Sequence, residues 1–293
     1  MRSGLAALIG RPGVGKSALL NRLVGEKISI VTPVPLTTRG PVRGVQSAPE
    51  SQVVWVDTPA FHRPRHRLGE RMVAQARGAA GGADVVVVVA DAGAGITADD
   101  GPALTGAGES GHAVILVMNK SDRVDPAARA GVARAAAAET AMTEAISVSA
   151  SSGDGVDDLR RAVLGHLPEG PEFFPPGVVT DLSEPVRIAE LVREQAFLLT
   201  RQEIPHALAV EVDEITPREG SEVIYVRAVV HVDREAQRKI LIGAGGKMLK
   251  RMGQTARPAI ETLLGARIYL DLWVKVTARW YDREELLARL YPD

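Results

Sequence analysis

The chain is 293 residues long, 45% hydrophobic, 24% charged and 4% aromatic, a composition of ordinary globular domains with room for one or two cores. Its 35 Lys and Arg against 36 Asp and Glu exclude a uniformly basic nucleic-acid binder and an acidic disordered chain, so any nucleic-acid site must be a local patch. With no Cys, disulfides, thiolate zinc sites and cysteine nucleophiles are excluded together, and a reducing cytoplasm fits.

Along the chain, short apolar runs at 5–9, 53–56, 85–90, 114–118 and 145–148 read as strands, continuous in the manner of strands buried on both faces. All are far shorter than the roughly 20 residues of a membrane span, and the first ten residues do not resemble a secretory signal. Amphipathic or Ala-rich stretches at 17–24, 68–80, 126–140 and 156–167 alternate with these strands as helices, the pattern of an α/β domain with a mostly parallel sheet. Asp125 and Pro126 are expected to cap and open the third of those helices.

Pro168, Pro171, Pro175, Pro176 and Pro185, with Gly170 and Gly177, then interrupt the rhythm. The expected domains are 1–168 and 186–293, joined by a Pro-rich linker over 169–185. The second half reads as helix 186–200, strands 207–212 and 224–232, a helix over 247–264, strand 267–276 and a short docking helix within 281–291. Pro258 is expected to kink or split the 247–264 helix. Trp273 is expected in buried packing, and Trp280 is a candidate for stacking on RNA. The six His show no metal-ligand spacing.

Gly10-Arg11-Pro12-Gly13-Val14-Gly15-Lys16-Ser17, followed by Ala18, has the spacing G-x-x-x-x-G-K-S between a strand and a helix. Such a loop turns its backbone N–H groups onto phosphate oxygens, with Lys16 reaching the β and γ phosphates and Ser17 placed to ligate Mg²⁺. Asp57 ends a strand, as the Mg²⁺-associated acid of such sites does; alone, a strand-end Asp is more often a helix cap. Asn119-Lys120-Ser121-Asp122 has the form N-K-x-D. The Asp122 carboxylate can accept two donors that guanine has and adenine lacks, while Asn119 braces the loop and Lys120 packs on the base. Ser149-Ala150-Ser151 follows the next strand, where a backbone amide would read the guanine carbonyl.

These elements resemble the G1, G3, G4 and G5 motifs of translation-factor-like GTPases. Thr37-Thr38, in Pro35-Leu36-Thr37-Thr38-Arg39, resembles the switch threonine of the Era subfamily, with Thr38 first choice as γ-phosphate and Mg²⁺ sensor and Thr37 second. The catalytic set expected on this basis is Lys16, Thr38 and Asp57, and Ser17, Thr38 and Asp57 would hold the metal.

Between Arg234 and Arg257 lie seven basic residues against one acid, Glu235. This is the patch hidden by the balanced net charge. Within it, Gly243-Ala244-Gly245-Gly246 resembles the GxxG loop of K-homology (KH) domains, which clamps a single strand by its phosphates. Lys239, Ile242, Lys247, Lys250 and Arg251 flank the loop as RNA-contact candidates, with Ile240 a further apolar one. The helix-strand-strand-helix-helix-strand order resembles the type II, smaller α+β form of the module. A GTPase domain followed by this module is the organisation of the Era family, and the resemblance covers nearly the whole chain. It implies GTP/GDP and Mg²⁺ as ligands, the 3′ end of 16S ribosomal RNA and the 30S subunit as partners, a role in small-subunit maturation, a monomer, and a cytoplasmic location that in some members extends to the membrane surface.

Several positions depart from the family pattern. D-x-x-G is here Asp57-Thr58-Pro59-Ala60, so the γ-phosphate amide would come from Ala60, without glycine's φ freedom. Phe61 stands where many small GTPases carry a water-orienting Gln, and an apolar residue there is usual in this group. Gly13 replaces the P-loop Asn that helps hold K⁺ in relatives, so little K⁺ stimulation is expected. Ala18 replaces a second hydroxyl often found after Ser17, and Ala244 and Gly245 lack the Lys common in the GxxG loop. Binding without efficient switching or hydrolysis is therefore expected, and an RNA-binding chaperone with weak hydrolysis is the alternative.

Overall fold

The computed structural model describes all residues except 141, 143, 144, 201–203, 218, 219, 221, 292 and 293. The chain forms two compact units, Met1–Ser29 with Pro35–Asp181 and Ile30–Val34 with Leu182–Asp293.

The first unit holds a six-stranded sheet of β1 (Arg2–Ile9), β2 (Val42–Ala48), β3 (Ser51–Asp57), β4 (Val85–Asp91), β5 (Ala113–Asn119) and β6 (Ala145–Ser147), in the order β2-β3-β1-β4-β5-β6. All neighbours are parallel except β2, which runs antiparallel to β3. The helices are α1 (Lys16–Val24), α2 (Arg67–Gly81), α3 (Gly101–Glu109), α4 (Arg129–Thr140) and α5 (Val156–His166). β4 is buried from Val85 to Ala90, as a strand covered on both faces must be. Ala76 and Ala80 of α2, Ala103 and Ala107 of α3, and Ala133 and Ala136 of α4 join that core, where small side chains let helices approach closely.

Two elements are not read from the sequence and one helix start is corrected. β2 escaped the sequence pattern because it is an edge strand carrying Arg43 and Gly44, and its place is set by pairing with β3 rather than by periodicity. α3 escaped because GPALTGAGE has poor helix propensity; burial of Ala103 and Ala107 and the Thr97–Asp100 capping box hold it. α4 opens at Arg129 rather than Pro126, because the Asp125 carboxylate accepts the Ala127 N–H at 2.8 Å and its carbonyl accepts Ala128 N–H at 2.9 Å, closing a separate turn.

The Pro-rich segment packs on the first unit as far as Asp181. Ser3 Oγ donates to the Pro171 carbonyl (2.6 Å), Gln52 Nε2 to Phe174 (2.8 Å) and Val45 N–H to Val179 (2.9 Å). Proline removes donors from such a segment but leaves its carbonyls available as acceptors.

The second unit contains α6 (Glu184–Leu199), β7 (Leu208–Pro217), β8 (Ile224–Val232), α7 (Glu235–Ile242), α8 (Lys247–Leu264), β9 (Ile268–Val276) and α9 (Glu284–Leu290). Its sheet order is β7-β8-β9, antiparallel then parallel. Pro185 lies in the first turn of α6, where its missing N–H costs nothing. β7 outruns its alternating pattern because a bulge between Val212 and Glu214 shifts the register. α6 and α8 cover one sheet face through Ile188, Val192, Ala196, Met252, Ala256 and Ile260.

Pro258 does not split α8, which is one helix across it. Met252 and Ala256 before it and Ile260 after it are all buried, so continuous packing opposes a cost of about 3 kcal/mol. The two tryptophans exchange their expected environments. β9 alternates, Leu270, Leu272 and Val274 facing the core while Trp273 is 56% exposed. Trp280 is fully buried, its indole N–H donating to the Ala207 carbonyl at 2.8 Å.

Candidate nucleotide site and nucleic-acid interface

Parallel strands end at one edge of a sheet, and that edge gathers the motifs of the first unit. β1 runs into residues 10–15, β3 ends at Asp57, β4 at Asp91 and β5 at Asn119, and the 149–151 loop follows β6. β1 lies between β3 and β4, the kind of switch point where open α/β sheets bind ligands. Because β2 is antiparallel with Val42 opposite Asp57, the segment entering β2 also arrives at this edge. That is how Thr38 reaches residues far from it in sequence.

The loop leading into α1 depends on glycine where other groups crowd it. At Gly15 φ is +96° and an added Cβ would lie 2.6 Å from Asn119 Nδ2, so the position excludes a side chain. Lys16 is buried, and its ammonium donates to the carbonyls of Gly10 (2.9 Å) and Arg11 (3.2 Å). Burial lowers its pKa to about 8 although the Asp57 charge opposes that shift.

Ser17, Thr38 and Asp57 meet. Ser17 Oγ lies 2.9 Å from Thr38 Oγ1 and donates to Asp57 Oδ2 at 2.7 Å, and Thr38 Oγ1 donates to the same oxygen at 3.1 Å. Asp57 is fully buried, which raises its carboxyl pKa despite the Lys16 charge and these hydroxyl donors. Its Oδ1 is buried with no hydrogen-bond partner. Two hydroxyls and a carboxylate with an unpartnered oxygen suit a hard divalent cation that also takes water and phosphate oxygens, and the nearby ammonium suits the phosphates. Among the described residues no group of three or more His, Asp or Glu could form an independent metal cage.

At the other end of the edge, Asn119 Nδ2 donates to the Val14 carbonyl (2.8 Å) and its Oδ1 accepts the Ala150 N–H (3.1 Å), tying three loops together. Lys120, at φ +61°, donates to the Gly13 carbonyl (2.6 Å) and to Asp91 Oδ2 (2.8 Å). Asp122 is exposed, and the Ser149 hydroxyl donating to it at 2.6 Å holds its carboxyl below the ordinary range. Ser149 Oγ is also 2.9 Å from Ser151 Oγ. Ala60 is buried without a positive φ, its carbonyl 2.8 Å from His62 Nδ1. Phe61 is buried in the core shared with Ala103 and Ala107. Thr37 and Ala18 are half-buried beside their motif neighbours.

Sequence reasoning missed four residues here. Ser29 Oγ donates to Asp57 Oδ2 at 3.0 Å, Asn21 pins the backbone around Ser29, Asp91 anchors Lys120, and Arg22 Nε donates to the Ala150 carbonyl at 2.9 Å. Asn21 and Arg22 could have been noticed from their α1 spacing to Ser17 and Ala18; Ser29 and Asp91 carried no motif.

In the second unit, the 243–246 loop joins α7 to α8. An added Cβ at Gly243, at φ +71°, would lie 2.8 Å from Met248 Cβ, so the loop folds tightly onto α8. Ala244 and Gly245 are exposed, as are Lys239, Lys247, Lys250 and Arg251. Ile240 is exposed and Ile242 half-buried, while Leu241 between them fills the core. Arg234 and Arg238 pair with Asp233 and Glu235. Among the described residues none of Lys239, Lys247, Lys250 and Arg251 forms an ion pair, so the uncompensated charge lies around the loop.

Comparison with known proteins agrees with both halves. The family described as 50S ribosome-binding GTPase matches residues 5–120 and the KH domain family matches 203–281. GTPase Era of Carboxydothermus hydrogenoformans is 44% identical over 97% of this chain and 95% of its own length. The chain belongs to the Era family of GTPases. Era of Thermotoga maritima is 39% identical, covering 99% of this chain and 96% of that one. A crystal structure of Era with MgGDPNP and nucleotides 1506–1542 of 16S ribosomal RNA superposes with TM-score 0.96 at 37% identity, over 99% of this chain and 98% of that one. Aquifex aeolicus Era bound to GDP and AlF4⁻ gives the same score and identity, over 99% of both chains. This Era-family chain is thus a GTPase with a P-loop domain and a smaller α+β KH domain.

Proposed function

We propose that this chain is a cytoplasmic GTPase whose nucleotide state governs the grip of its KH unit on the 3′ end of 16S ribosomal RNA during 30S maturation. The observation that carries this reading is its likeness along the whole chain to an Era that holds both MgGDPNP and that RNA, joined to a local geometry with a place for each.

In the nucleotide site the residues at 10–18 turn amides onto the phosphates, and Lys16 places its charge where negative charge gathers as the β–γ bridge breaks. Ser17 and Thr38 would hold Mg²⁺ by their hydroxyls, and Asp57 would act through its free Oδ1. When bound, Mg²⁺ neutralises phosphate charge. Thr37 and Ala60 line the γ-phosphate side, and Asn119, Lys120, Asp122 and the 149–151 loop receive guanine. Buried Phe61 cannot orient water, so hydrolysis rests on charge stabilisation and is slow. In the second unit Lys239, Lys247, Lys250 and Arg251 would neutralise phosphates while the backbone of 243–246 approaches the strand and Ile242 borders it.

Single-turnover GTP hydrolysis with and without the 16S 3′ segment tests the reading, RNA-dependent turnover being the expected result. Tight RNA binding with no hydrolysis in either condition would establish the chaperone alternative instead. Ala60 carries a separate prediction. Ala60→Gly restores backbone freedom at the γ-phosphate amide, and hydrolysis should rise several-fold with GTP affinity little changed. Equal turnover in the two chains would show that Ala60 does not restrain switching.

A further inference from the structure

Asp57 Oδ2 accepts three hydroxyls, and the three are not equivalent. Ser17 and Thr38 are the residues assigned above to the metal. Ser29 is the third, 3.0 Å from Oδ2 and only 4% exposed. Its backbone is held by one side chain: Asn21 Oδ1 accepts the N–H groups of Ile28 (3.0 Å) and Ser29 (2.9 Å), and Asn21 Nδ2 donates to the Ser29 carbonyl (2.7 Å). Asn21 stands four residues after Ser17 on α1, hence on the same helix face. Ser29 is therefore fixed relative to the phosphate loop itself. Thr38 instead lies in a segment that includes Leu36 at φ +60° and only then enters β2.

We propose that Ser29 is a positioning residue for Asp57, keeping Oδ2 engaged so that Oδ1 stays available to a bound Mg²⁺, whether or not Thr38 is docked. This rests on the magnesium-nucleotide reading of the site. A carboxylate has two like oxygens and turns readily about its terminal bond; which one faces the cation is decided by the donors that hold the other. With Thr38 withdrawn, Ser17 and Ser29 remain, and Ser29 alone of the two is not called on as a ligand. Removing its hydroxyl leaves a buried carboxylate short of one charge-assisted bond. The loss should appear as weakened magnesium retention in the diphosphate and triphosphate states alike, whereas loss of Thr38 should weaken the triphosphate state selectively.

The test uses the full chain and fluorescent GDP and non-hydrolysable GTP analogues, with release rates measured in Mg²⁺ and in EDTA. Ser29→Ala should speed release of both nucleotides about ten-fold in Mg²⁺, raise the Mg²⁺ concentration for half-maximal retention, and leave the EDTA rates within about two-fold of the native chain. Ser29→Thr and Ser29→Val form a matched pair of nearly equal shape. Thr should retain more of the magnesium effect than Val, which separates the hydroxyl from packing if Ser29→Ala folds poorly. Equal magnesium titrations for the native chain and Ser29→Ala, equal retention by Thr and Val, or an equal speeding in EDTA would overturn the assignment. A native chain that releases nucleotide equally fast with and without Mg²⁺ would overturn the site reading along with it.

Discussion

Asp122→Asn is expected to weaken GDP and GTP binding by two to four orders of magnitude while leaving the fold intact. The carboxylate is exposed, so its replacement creates no cavity, and Ser149 can still donate to the amide oxygen in place of the present 2.6 Å bond. Guanine offers a ring N–H and an exocyclic amine, and a carboxylate accepts both. An amide must turn its NH₂ toward one of them. Two charge-assisted hydrogen bonds at about 1.5–3 kcal/mol each set the expected loss. Xanthosine nucleotides, with a carbonyl in place of the exocyclic amine, should bind the variant better than the native chain. Calorimetry with guanosine, xanthosine and adenosine diphosphates measures all of this. Native affinity for guanine in the variant, or no preference for guanine over adenine in the native chain, would refute the assignment of Asp122.

The second large effect is expected at the KH loop. Replacing Lys247, Lys250 and Arg251 together by Ala should cut affinity for a single-stranded 16S 3′ oligonucleotide about a hundred-fold at low salt, with each phosphate contact worth about 1 kcal/mol. The slope of log affinity against log salt should flatten by about two, since each neutralised phosphate on a single strand contributes about 0.7. All three side chains are exposed and none pairs with an acid among the described residues, so the unit should melt at nearly its native temperature. Nucleotide affinity of the isolated reaction should not move. An unchanged salt slope in the triple variant would place the phosphate contacts elsewhere, and a flat slope in the native chain would contradict phosphate neutralisation altogether.

The α7–loop–α8 region also shows how far local spacing carries a structural reading. A GxxG between two amphipathic stretches is read from spacing alone, whereas the need for a small residue at Gly243 comes from its packing against Met248. Spacing did not disclose which aromatic residue is exposed. Trp273 reads as buried packing and Trp280 as a stacking candidate, and the pleat of β9 with the burial of Trp280 reverses the two. Nor does a local rule forecast that α8 passes through Pro258. Its neighbours on both sides are buried, and their packing is a long-range property.

The sequence by itself determined where the candidate nucleotide site lies, because the G-x-x-x-x-G-K-S and N-K-x-D loops are made from consecutive residues whose backbone demands are local. It determined the order of the elements other than β2 and α3 for the same reason, since hydrophobic period is read within one turn or one strand. Only the tertiary structure decided which residues complete that site. Ser29 reaches Asp57 through the grip of Asn21, and Asp91 reaches Lys120 through the common edge of parallel strands. Those neighbours are set by strand order and burial, which join positions tens of residues apart and leave no short-range pattern in the chain.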